Sequence, residues 1–306
     1  MAAKNQSNIT LRTGIYSAIE PERFEHSLDG QVALVTGSGR GIGRAIALAL
    51  AQAGAAVAVT GRTLSEIEDT AHEVVARGGK SIAIAADVVV KSDMEHLVSQ
   101  VYQQLGEIDI LICNAGINTF LPFHLTDSDE WWRQMEVNVK GPTELTRLIL
   151  PSFQKRNSGT IIYTSSRAAS ADLPWASAYS CAKSAITRFA GILQVELDNS
   201  PEALNHGSNG ISAFSIHPGE VKTALHNTAF PQKTKELAPH VVNHMEKISK
   251  LQPDFKAELA AWTCVYLATG NGTVLKGRLV DCTKDIDEVK ELVSSTPRPR
   301  ITNACA

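Results

Sequence analysis

The chain has 306 residues, of which 43% are hydrophobic, 20% charged and 6% aromatic, and its formal net charge is -3. This composition predicts a globular protein with enough apolar residues for a core, and it excludes disordered, collagen-like and coiled-coil chains. Because there is no basic surplus to neutralise phosphates, we do not expect a nucleic-acid-binding protein.

The sequence contains no pattern typical of a membrane span or a disulfide framework. The longest apolar run, residues 45–51, is far shorter than the roughly 20 residues that cross a bilayer. The polar residues 1–12 lack the apolar centre of a signal peptide. The five cysteines are scattered without a CxxC pair, and Cys305 does not form a prenylation motif. We therefore expect a cytoplasmic protein with reduced thiols that binds no membrane.

The ends of the chain differ from its middle. At about 150 residues per domain, the length would suggest two domains, but residues 1–28 are polar and without pattern, and the stretch after Lys284 contains two late prolines. We predict an N-terminal extension over residues 1–28, one domain over 29–284 and a C-terminal tail over 285–306. Residues 225–254, with three prolines, are predicted to form a lid over a pocket, with a solvated connector as the alternative.

Within the predicted domain, short β-branched or alanine-rich segments alternate with longer amphipathic ones. The segments predicted as strands are residues 32–36, 56–60, 81–86, 109–113, 160–165 and 211–217. The segments predicted as helices are residues 42–52, 65–77, 92–105, 128–150 and 178–197. Because several strands are apolar almost throughout, they suit a parallel sheet covered on both faces. The alternation predicts an α/β fold with right-handed βαβ units and a doubly wound sheet.

The first predicted strand leads into a glycine-rich turn and an alanine-rich helix. Residues 36–43 read TGSGRGIG, and glycines in this context serve a tight turn, close approach of the backbone to a pyrophosphate and close helix packing. The free N–H groups at the start of the helix then face the phosphates. A merely structural turn is the alternative. The predicted dinucleotide contacts are Gly37, Ser38, Gly39, Arg40, Gly41, Ile42 and Gly43.

The end of the second predicted strand bears on the choice of dinucleotide. A site for NAD usually presents an acid there to the ribose 2′-hydroxyl, whereas this chain continues with Arg62 and Thr63 and no carboxylate. Together with Arg40, a second guanidinium group would suit a 2′-phosphate. We therefore predict NADP(H) as the cofactor in preference to NAD(H). An ordinary solvated charge is the alternative for one of the arginines.

A serine, a tyrosine and a lysine form the predicted acid–base site. Tyr179 and Lys183 are four residues apart in a predicted helix, so their side chains share one face. A free tyrosine has a pKa of about 10, and a neighbouring ammonium together with an oxidised nicotinamide would lower it. Ser166 ends a strand thirteen residues earlier, where open α/β sheets place ligands. A YxxxK pair on its own is usually a surface helix face.

In combination, these motifs resemble the short-chain dehydrogenase/reductase family. The resemblance rests on TGxxxGxG at residues 36–43, Asn114-Ala115-Gly116, Asn138, Ser166 and the YxxxK of residues 179–183, and it covers about residues 30–282. It implies a single Rossmann-like domain with a mostly parallel seven-stranded sheet flanked by helices. It also implies a homodimer or homotetramer that associates through the predicted helices holding Asn138 and Tyr179.

The resemblance further implies a role for each matching residue. Tyr179 would be the general acid in reduction and the base in oxidation, Lys183 would bind the nicotinamide ribose and lower the tyrosine pKa, and Ser166 would orient the substrate oxygen. Asn138 would hold a water that links Lys183 to solvent, and Asp87 would contact the adenine ring. The other implied cofactor contacts are Val88, Asn114, Ala115, Gly116, Pro218, Gly219, Val221 and Thr223.

Apolar residues near these motifs predict a pocket for a bulky ketone or alcohol. The candidates for its wall are Phe120, Leu121, Phe123, Leu173, Pro174 and Trp175. Trp131 and Trp132 are predicted to make core or helix–helix contacts.

Several other residues invite a functional interpretation. His217 is predicted to be a strand-end residue with a backbone partner, with donation to a substrate as the alternative. His240 and His244 are four residues apart but lack a third ligand, so we predict no metal site. Cys113 stands where the family usually has asparagine and is predicted to be a buried apolar residue. The spacing to Tyr179 favours Ser166 over Ser165.

The sequence as a whole predicts an NADP(H)-dependent carbonyl reductase or alcohol dehydrogenase. One alternative is an NAD-dependent secondary-alcohol dehydrogenase that uses the same residues. A second alternative is a dinucleotide-sensing or scaffold protein without turnover. The complete Ser, Tyr and Lys set weighs against that second alternative, because a sensor would need only the glycine turn.

Overall fold

The computed structural model describes residues 9–223, 225 and 229–295. In this part of the chain, seven strands form one sheet in the order β3-β2-β1-β4-β5-β6-β7, and all of their pairings are parallel. The strands are β1 (Val32–Thr36), β2 (Ala56–Gly61), β3 (Ser81–Ala85), β4 (Ile110–Cys113), β5 (Gly159–Thr164), β6 (Ile211–His217) and β7 (Leu279–Asp281). The predicted doubly wound, seven-stranded sheet is confirmed.

Helices connect the strands and cover both faces of the sheet. They are α1 (Gly41–Gln52), α2 (Leu64–Ala76), α3 (Lys91–Gln104), α4 (Ser128–Met135), α5 (Gly141–Arg156), α6 (Ser177–Asp198), α7 (Pro201–His206), α8 (Gln232–Leu237), α9 (Pro239–Leu251), α10 (Ala257–Ala268) and α11 (Ile286–Ser295). One apolar cluster joins α1, α2 and α10 to one face of the sheet. A second cluster joins α3, α5 and α6 to the other face. Within the described residues, no helix is both long and apolar enough to span a bilayer.

The sequence pattern over residues 128–150 predicts one helix, and the structure divides it. Between α4 and α5 lies a π-helical turn, Glu136–Lys140, in which the Gly141 N–H donates to the carbonyl of Glu136, five residues back. Pro142 has no N–H and cannot donate to the carbonyl of Asn138 four residues earlier, which favours this local widening of the helix. The turn carries the buried Asn138.

Residues 9–28 pack into the same core as the domain that follows them. Ile19 and Leu28 are fully buried, and Phe24 stacks on Trp262 of α10 with ring centroids 6.2 Å apart. The polar sequence of this stretch conceals its few core residues, because they are separated by charged residues and lie in short 3₁₀ turns. At the other end of the chain, α11 begins in the predicted tail, and residues 296–306, with Cys305, lie outside the described part.

The strand order reverses between β1 and β4, so the connections from these neighbouring strands leave on opposite faces of the sheet. A crevice forms at such a point, outside the carboxyl ends of the strands. The residues that follow β1, β4, β5 and β6 all meet there.

Candidate active site

A cleft of about 980 Å³ opens at the carboxyl ends of the strands. At one end the glycine turn and the residues after β2 and β3 line it, and at the other end the residues after β5 and β6. The lid predicted over residues 225–254 contributes Met245 and Ile248 of α9 to the wall, and its residues 226–228 lie outside the described part of the chain.

The glycine turn packs tightly against the segment after β4. Gly37 has φ +63°, and a Cβ there would lie 2.8 Å from the Cα of Ala115. A Cβ at Gly43 would lie 2.2 Å from the carbonyl oxygen of Gly37. The Asn114 Nδ2 donates to the carbonyls of Thr36 and Gly37, at 3.1 Å each. These contacts leave backbone, without side chains, as the floor of the cleft at the start of α1.

Ser38 is the one member of the predicted turn whose side chain faces away from the cleft. It is fully buried, its Oγ donates to the carbonyl of Val35 at 2.8 Å, and it accepts from the N–H of Thr60 at 2.8 Å. Ser38 therefore joins β1 to β2. The other members of the turn, Gly37, Gly39, Arg40, Gly41, Ile42 and Gly43, line the cleft.

The end of the cleft beside the glycine turn carries both positively and negatively charged side chains. Arg40, Arg62 and Thr63 line it as predicted from the sequence, but Glu66 of α2 lines it too and pairs with Arg40 at 3.1 Å between Nη1 and Oε1. Although no carboxylate follows β2 directly in sequence, Glu66 therefore places one at this end of the cleft. The first turn of α2 folds back over the glycine turn, and a Cβ at Gly39 would lie 2.7 Å from the Cβ of Glu66.

Asp87 lines the cleft beside Val88 and has a partner that no motif indicates. Arg133 of α4 donates to the Asp87 Oδ2 at 3.0 Å and also pairs with Glu136 at 3.3 Å. The Oδ1 of Asp87 accepts from the N–H of Val89 at 3.2 Å. The carboxylate is thus held in one orientation at the edge of the cleft.

Tyr179, Lys183 and Ser166 meet at the other end of the cleft. The Lys183 Nζ donates to the carbonyl of Thr164 at 2.7 Å and lies 5.3 Å from the centroid of the Tyr179 ring. Ser166 lies close enough to Tyr179 to lower the pKa of its hydroxyl. The Ser166 Oγ accepts from the N–H of Ala168 at 3.1 Å. The neighbouring Ser165 is buried and donates to the carbonyl of Lys183 at 3.3 Å, so its hydroxyl stabilises α6.

Burial favours the neutral forms of both Tyr179 and Lys183. It raises the pKa of Tyr179 above its ordinary value, while the hydrogen bond with Ser166 lowers it. It lowers the pKa of Lys183 to about 8. The pKa of Tyr179 is therefore not depressed in the protein without its cofactor, because desolvation of the phenol outweighs the contribution of Ser166.

Asn138 lies behind this group and does not itself line the cleft. Its Nδ2 donates to the carbonyls of Ile117 and Gln134, at 2.9 Å each, which fixes the orientation of the amide. Its Oδ1 is buried and has no hydrogen-bond partner among the described residues. A Cβ at Gly116 would lie 2.7 Å from that oxygen and 3.6 Å from the Lys183 Nζ. A single small polar molecule near Gly116 would reach both groups.

The loop after β6 forms another part of the cleft wall. Pro218, Gly219, Val221 and Thr223 all line the cleft, and Thr223 approaches the glycine turn, since a Cβ at Gly41 would lie 3.2 Å from its Cγ2. His217 is buried, and its Nδ1 accepts from the N–H of Arg167 at 3.2 Å. The predicted backbone partner for this histidine is therefore present.

The predicted pocket wall is divided between lining and supporting residues. Phe120, Leu173 and Pro174 line the cleft. Trp175 lies behind them, and its ring packs edge-on against His240 and His244 at centroid distances of 5.8 and 5.2 Å. Leu121 is buried and its N–H donates to the carbonyl of Trp175, whereas the side chain of Phe123 is 70% exposed.

The pocket also contains contacts that sequence reasoning missed. Met245 and Ile248 complete an apolar cluster around Phe120. Arg167, directly after Ser166, pairs with Glu220 of the loop after β6, and both line the cleft. The helical spacing of apolar residues over residues 241–248 would have indicated Met245 and Ile248. No sequence pattern indicates the ion pair of Arg167 and Glu220.

The remaining candidates have structural surroundings. Cys113 is buried. Trp131 donates to the Ser177 Oγ of α6 at 3.1 Å, as a helix–helix contact, while Trp132 is 59% exposed. Among the described residues, no group of three or more histidine, cysteine or acidic side chains forms a metal site.

Comparison with known proteins gives consistent results. A family model described as short chain dehydrogenase matches residues 31–234. A short chain dehydrogenase of Pseudocercospora fijiensis is 35% identical over 288 residues, which cover 93% of this chain and 90% of that protein.

Two solved structures resemble the fold with a TM-score of 0.71. One is a short-chain type dehydrogenase/reductase from Mycobacterium marinum, at 27% identity over 87% of this chain and 97% of its own. The other, from Beutenbergia cavernae, is provisionally assigned as an NAD(P)-dependent gluconate 5-dehydrogenase with NADP bound at low occupancy. It is 24% identical and covers 85% of this chain and 96% of its own.

Proposed function

Because the chain belongs to the short-chain dehydrogenase family, we propose that it is an NADP(H)-dependent oxidoreductase that interconverts a ketone and a secondary alcohol. The observation that carries the proposal is the grouping of Ser166, Tyr179 and the buried Lys183 at one end of a cleft whose other end is a glycine turn.

The residues of the cleft fit a nicotinamide dinucleotide. At Gly37 and Gly43 the backbone is too close to its neighbours to admit a Cβ, so the N–H groups at the start of α1 are open to a pyrophosphate. When bound, the nicotinamide supplies or accepts a hydride at its C4 atom. Lys183, with three N–H donors of which one binds the Thr164 carbonyl, has donors left for a ribose hydroxyl.

The chain's own residues control the proton. In reduction the Tyr179 hydroxyl gives its proton to the substrate oxygen, and in oxidation the phenolate removes it. Ser166 holds the substrate oxygen next to that hydroxyl and stabilises charge that develops on it. Since the Asn138 Oδ1 is buried and unpaired, we assign it a water molecule that leads from Lys183 toward solvent.

Two arginines and one acid decide the choice between NADP(H) and NAD(H). Arg40 and Arg62 both line the end of the cleft where the adenine ribose is expected, and two guanidinium groups suit a 2′-phosphate. Glu66 opposes this preference, because it occupies Arg40 and adds a negative charge at the same place. We infer that NADP(H) is preferred, with Arg62 as the arginine available to the phosphate.

One wall of the substrate end of the cleft is apolar. Phe120, Leu173, Met245 and Ile248 line it and contribute to one hydrophobic cluster. Burial of apolar surface in such a pocket favours a bulky apolar ketone or alcohol over a small polar one.

We also propose association into a homodimer or homotetramer through the helical segment of residues 128–150, which holds Asn138, and through α6, which holds Tyr179. Trp132 on α4 and Ile192 and Val195 on α6 are 59%, 43% and 43% exposed, and a second copy of the chain packed on these helices would cover them. The free cysteines of the described part suit a reducing compartment such as the cytoplasm.

The test of the proposed reaction is Tyr179→Phe, which removes one hydroxyl and leaves the ring in place. We expect reduction of apolar ketones, measured by loss of NADPH absorbance, to fall by about 10³-fold or more, because the proton donor is lost. The dissociation constant for NADPH should change little. Near-normal turnover by the variant would contradict the role of Tyr179.

A dinucleotide sensor without turnover is the second candidate. Tight binding of NADPH without oxidation of any of a broad panel of alcohols or reduction of any ketone would favour it. The complete set of Ser166, Tyr179 and Lys183 at one end of the cleft argues for the enzyme, because binding of a dinucleotide does not require it.

A further inference from the structure

Residues 9–16, here called the N-terminal strap, cross the sheet edge next to β7. Leu11 forms an antiparallel bridge with Lys284. The Arg12 N–H donates to the carbonyl of Thr283 at 2.7 Å, and the carbonyl of Thr10 accepts from the N–H of Asp285 at 3.0 Å. The strap is therefore hydrogen-bonded to the segment between β7 and α11, more than 270 residues away in sequence.

The Arg12 side chain holds the strap in this place. Its Nη2 and Nε donate to the Asp285 Oδ2 at 2.8 and 3.2 Å, and the Asp285 side chain is only 10% exposed. The guanidinium carbon also lies 4.8 Å from the centroid of the Tyr16 ring, whose hydroxyl accepts from the N–H of Ile286 at 2.8 Å. A partly buried, charge-assisted pair of this kind is stronger than an exposed one.

The strap reaches a second segment through Thr13. The carbonyl of Thr13 accepts from the N–H of Lys256 at 3.0 Å, in the connection between α9 and α10. The strap thus binds directly to Thr283 on one side and beside Phe255 on the other.

Thr283 and Phe255 are the residues on which the cleft loop lies. Gly219, with φ +86°, faces both: a Cβ there would lie 3.1 Å from the Cγ of Phe255 and 3.1 Å from the Cγ2 of Thr283. Gly219 belongs to residues 218–223, a loop that lines the cleft. No residue of the described strap lines the cleft itself.

From this continuous packing we propose that the N-terminal strap positions the loop 218–223, and that Arg12 thereby sets the affinity for the nicotinamide half of the dinucleotide. The inference rests on the proposed function. Arg12 is a positioning residue, since it acts on the loop through Thr283 and Phe255 and touches no reacting atom.

The test compares two ligands on Arg12→Ala. One is NADPH, and the other is 2′-phospho-ADP-ribose, which has the adenine half and pyrophosphate but no nicotinamide. We expect the dissociation constant of NADPH, measured by calorimetry at 25 °C, to rise about 2- to 30-fold, the range found for residues that couple without contact. The constant for 2′-phospho-ADP-ribose should stay within twofold, and so should kcat at saturating NADPH.

Two further variants separate positioning from general loss of structure. Arg12→Lys keeps a charge beside Asp285 and should restore part of the NADPH affinity. Arg23→Ala removes another arginine of the N-terminal stretch, whose Nη1 donates at 2.8 Å to the carbonyl of Ser17 within that stretch. We expect it to leave both dissociation constants unchanged, and a circular-dichroism spectrum confirms that each variant is folded.

Two outcomes of this comparison overturn the inference. Equal weakening of both ligands by Arg12→Ala would show a general structural role, and unchanged binding of both would show no coupling. If the wild-type protein binds 2′-phospho-ADP-ribose but shows no turnover, the proposed reaction fails while the strap can still be tested by NADPH affinity. If it binds neither ligand, both proposals fail.

Discussion

The protonation of Tyr179 depends on the balance between burial and one hydrogen bond. Burial raises its pKa and the contact with Ser166 lowers it. The charge on Lys183 is directed at the Thr164 carbonyl, and its Nζ is 5.3 Å from the phenol ring. Sequence spacing correctly predicts that tyrosine and lysine share a helix face, but it cannot predict desolvation, which depends on residues distant in the chain.

Ser166→Ala tests this balance. Loss of the hydrogen bond raises the pKa of Tyr179 further, and alcohol oxidation requires the phenolate, so the rise of kcat/KM with pH should move to higher pH. We expect kcat/KM itself to fall about 10²- to 10³-fold. The measurement is the pH profile of alcohol oxidation with saturating cofactor.

The matched control is the adjacent serine. Ser165→Ala removes a hydroxyl that donates to the carbonyl of Lys183, and we expect a loss of stability without a shift of the pH profile. A larger shift of the pH profile from Ser165→Ala than from Ser166→Ala would show that the substrate contact belongs to Ser165 and not to Ser166.

At the scale of elements, the strands and glycine turn follow from local pattern, and the departures from it have tertiary causes. β7 has three residues, too few for a periodic signal. The π-helical turn arises where Pro142 removes one N–H from a helical pattern. The sequence analysis missed Glu66, because this residue comes to lie beside Gly39 only through the packing of α2 on the glycine turn. That packing cannot be inferred from the sequence that follows β2.

The packing of α2 on the glycine turn leads to a prediction for Glu66→Gln, which should change the preference for NADPH over NADH. The change frees Arg40 from its ion pair and removes a negative charge, so both effects favour a 2′-phosphate. We expect the ratio of NADH to NADPH dissociation constants to rise about tenfold, equivalent to about 1.4 kcal/mol. Arg62→Asp should shift the ratio in the opposite direction.

Glu68→Gln is the control for this prediction, because it removes an exposed carboxylate from the same helix. We expect no change in the ratio. If Glu66→Gln weakens NADPH binding, the acid orients Arg40 for the phosphate and does not compete with it.

At the scale of the whole molecule, the free energy of unfolding depends on a charge held in the core. The pKa of Lys183 is about 8 in the folded protein, below its ordinary value of 10.5. Between these two values the unfolded chain binds more protons than the folded one, so stability rises with pH across that window. The free-energy cost of burying the charged Lys183 reduces stability fully below pH 8 and disappears above pH 10.5.

Lys183→Met removes the titrating group, so its comparison with the wild-type protein measures the free-energy cost of burying the Lys183 ammonium. Relative to this variant, the wild-type protein should gain up to about 3 kcal/mol of unfolding free energy between pH 7.5 and 10.5, as determined by urea denaturation. The lost hydrogen bond to Thr164 adds an offset that does not change with pH. Lys247→Met, an exposed lysine of α9, should leave the pH dependence unaltered. A flat difference between wild type and Lys183→Met would refute the depressed pKa.

The N-terminal strap also affects when the fold can be completed during synthesis. Arg12 and Asp285 are separated by 273 residues, so a ribosome adding about 5 to 20 residues per second delivers the second partner roughly 14 to 55 s after the first. Through that interval Tyr16 and Ile19, which are core residues in the finished protein, have none of their late neighbours. Nascent chains therefore expose these apolar residues until translation is nearly finished, and they offer chaperones a binding site that the native protein lacks.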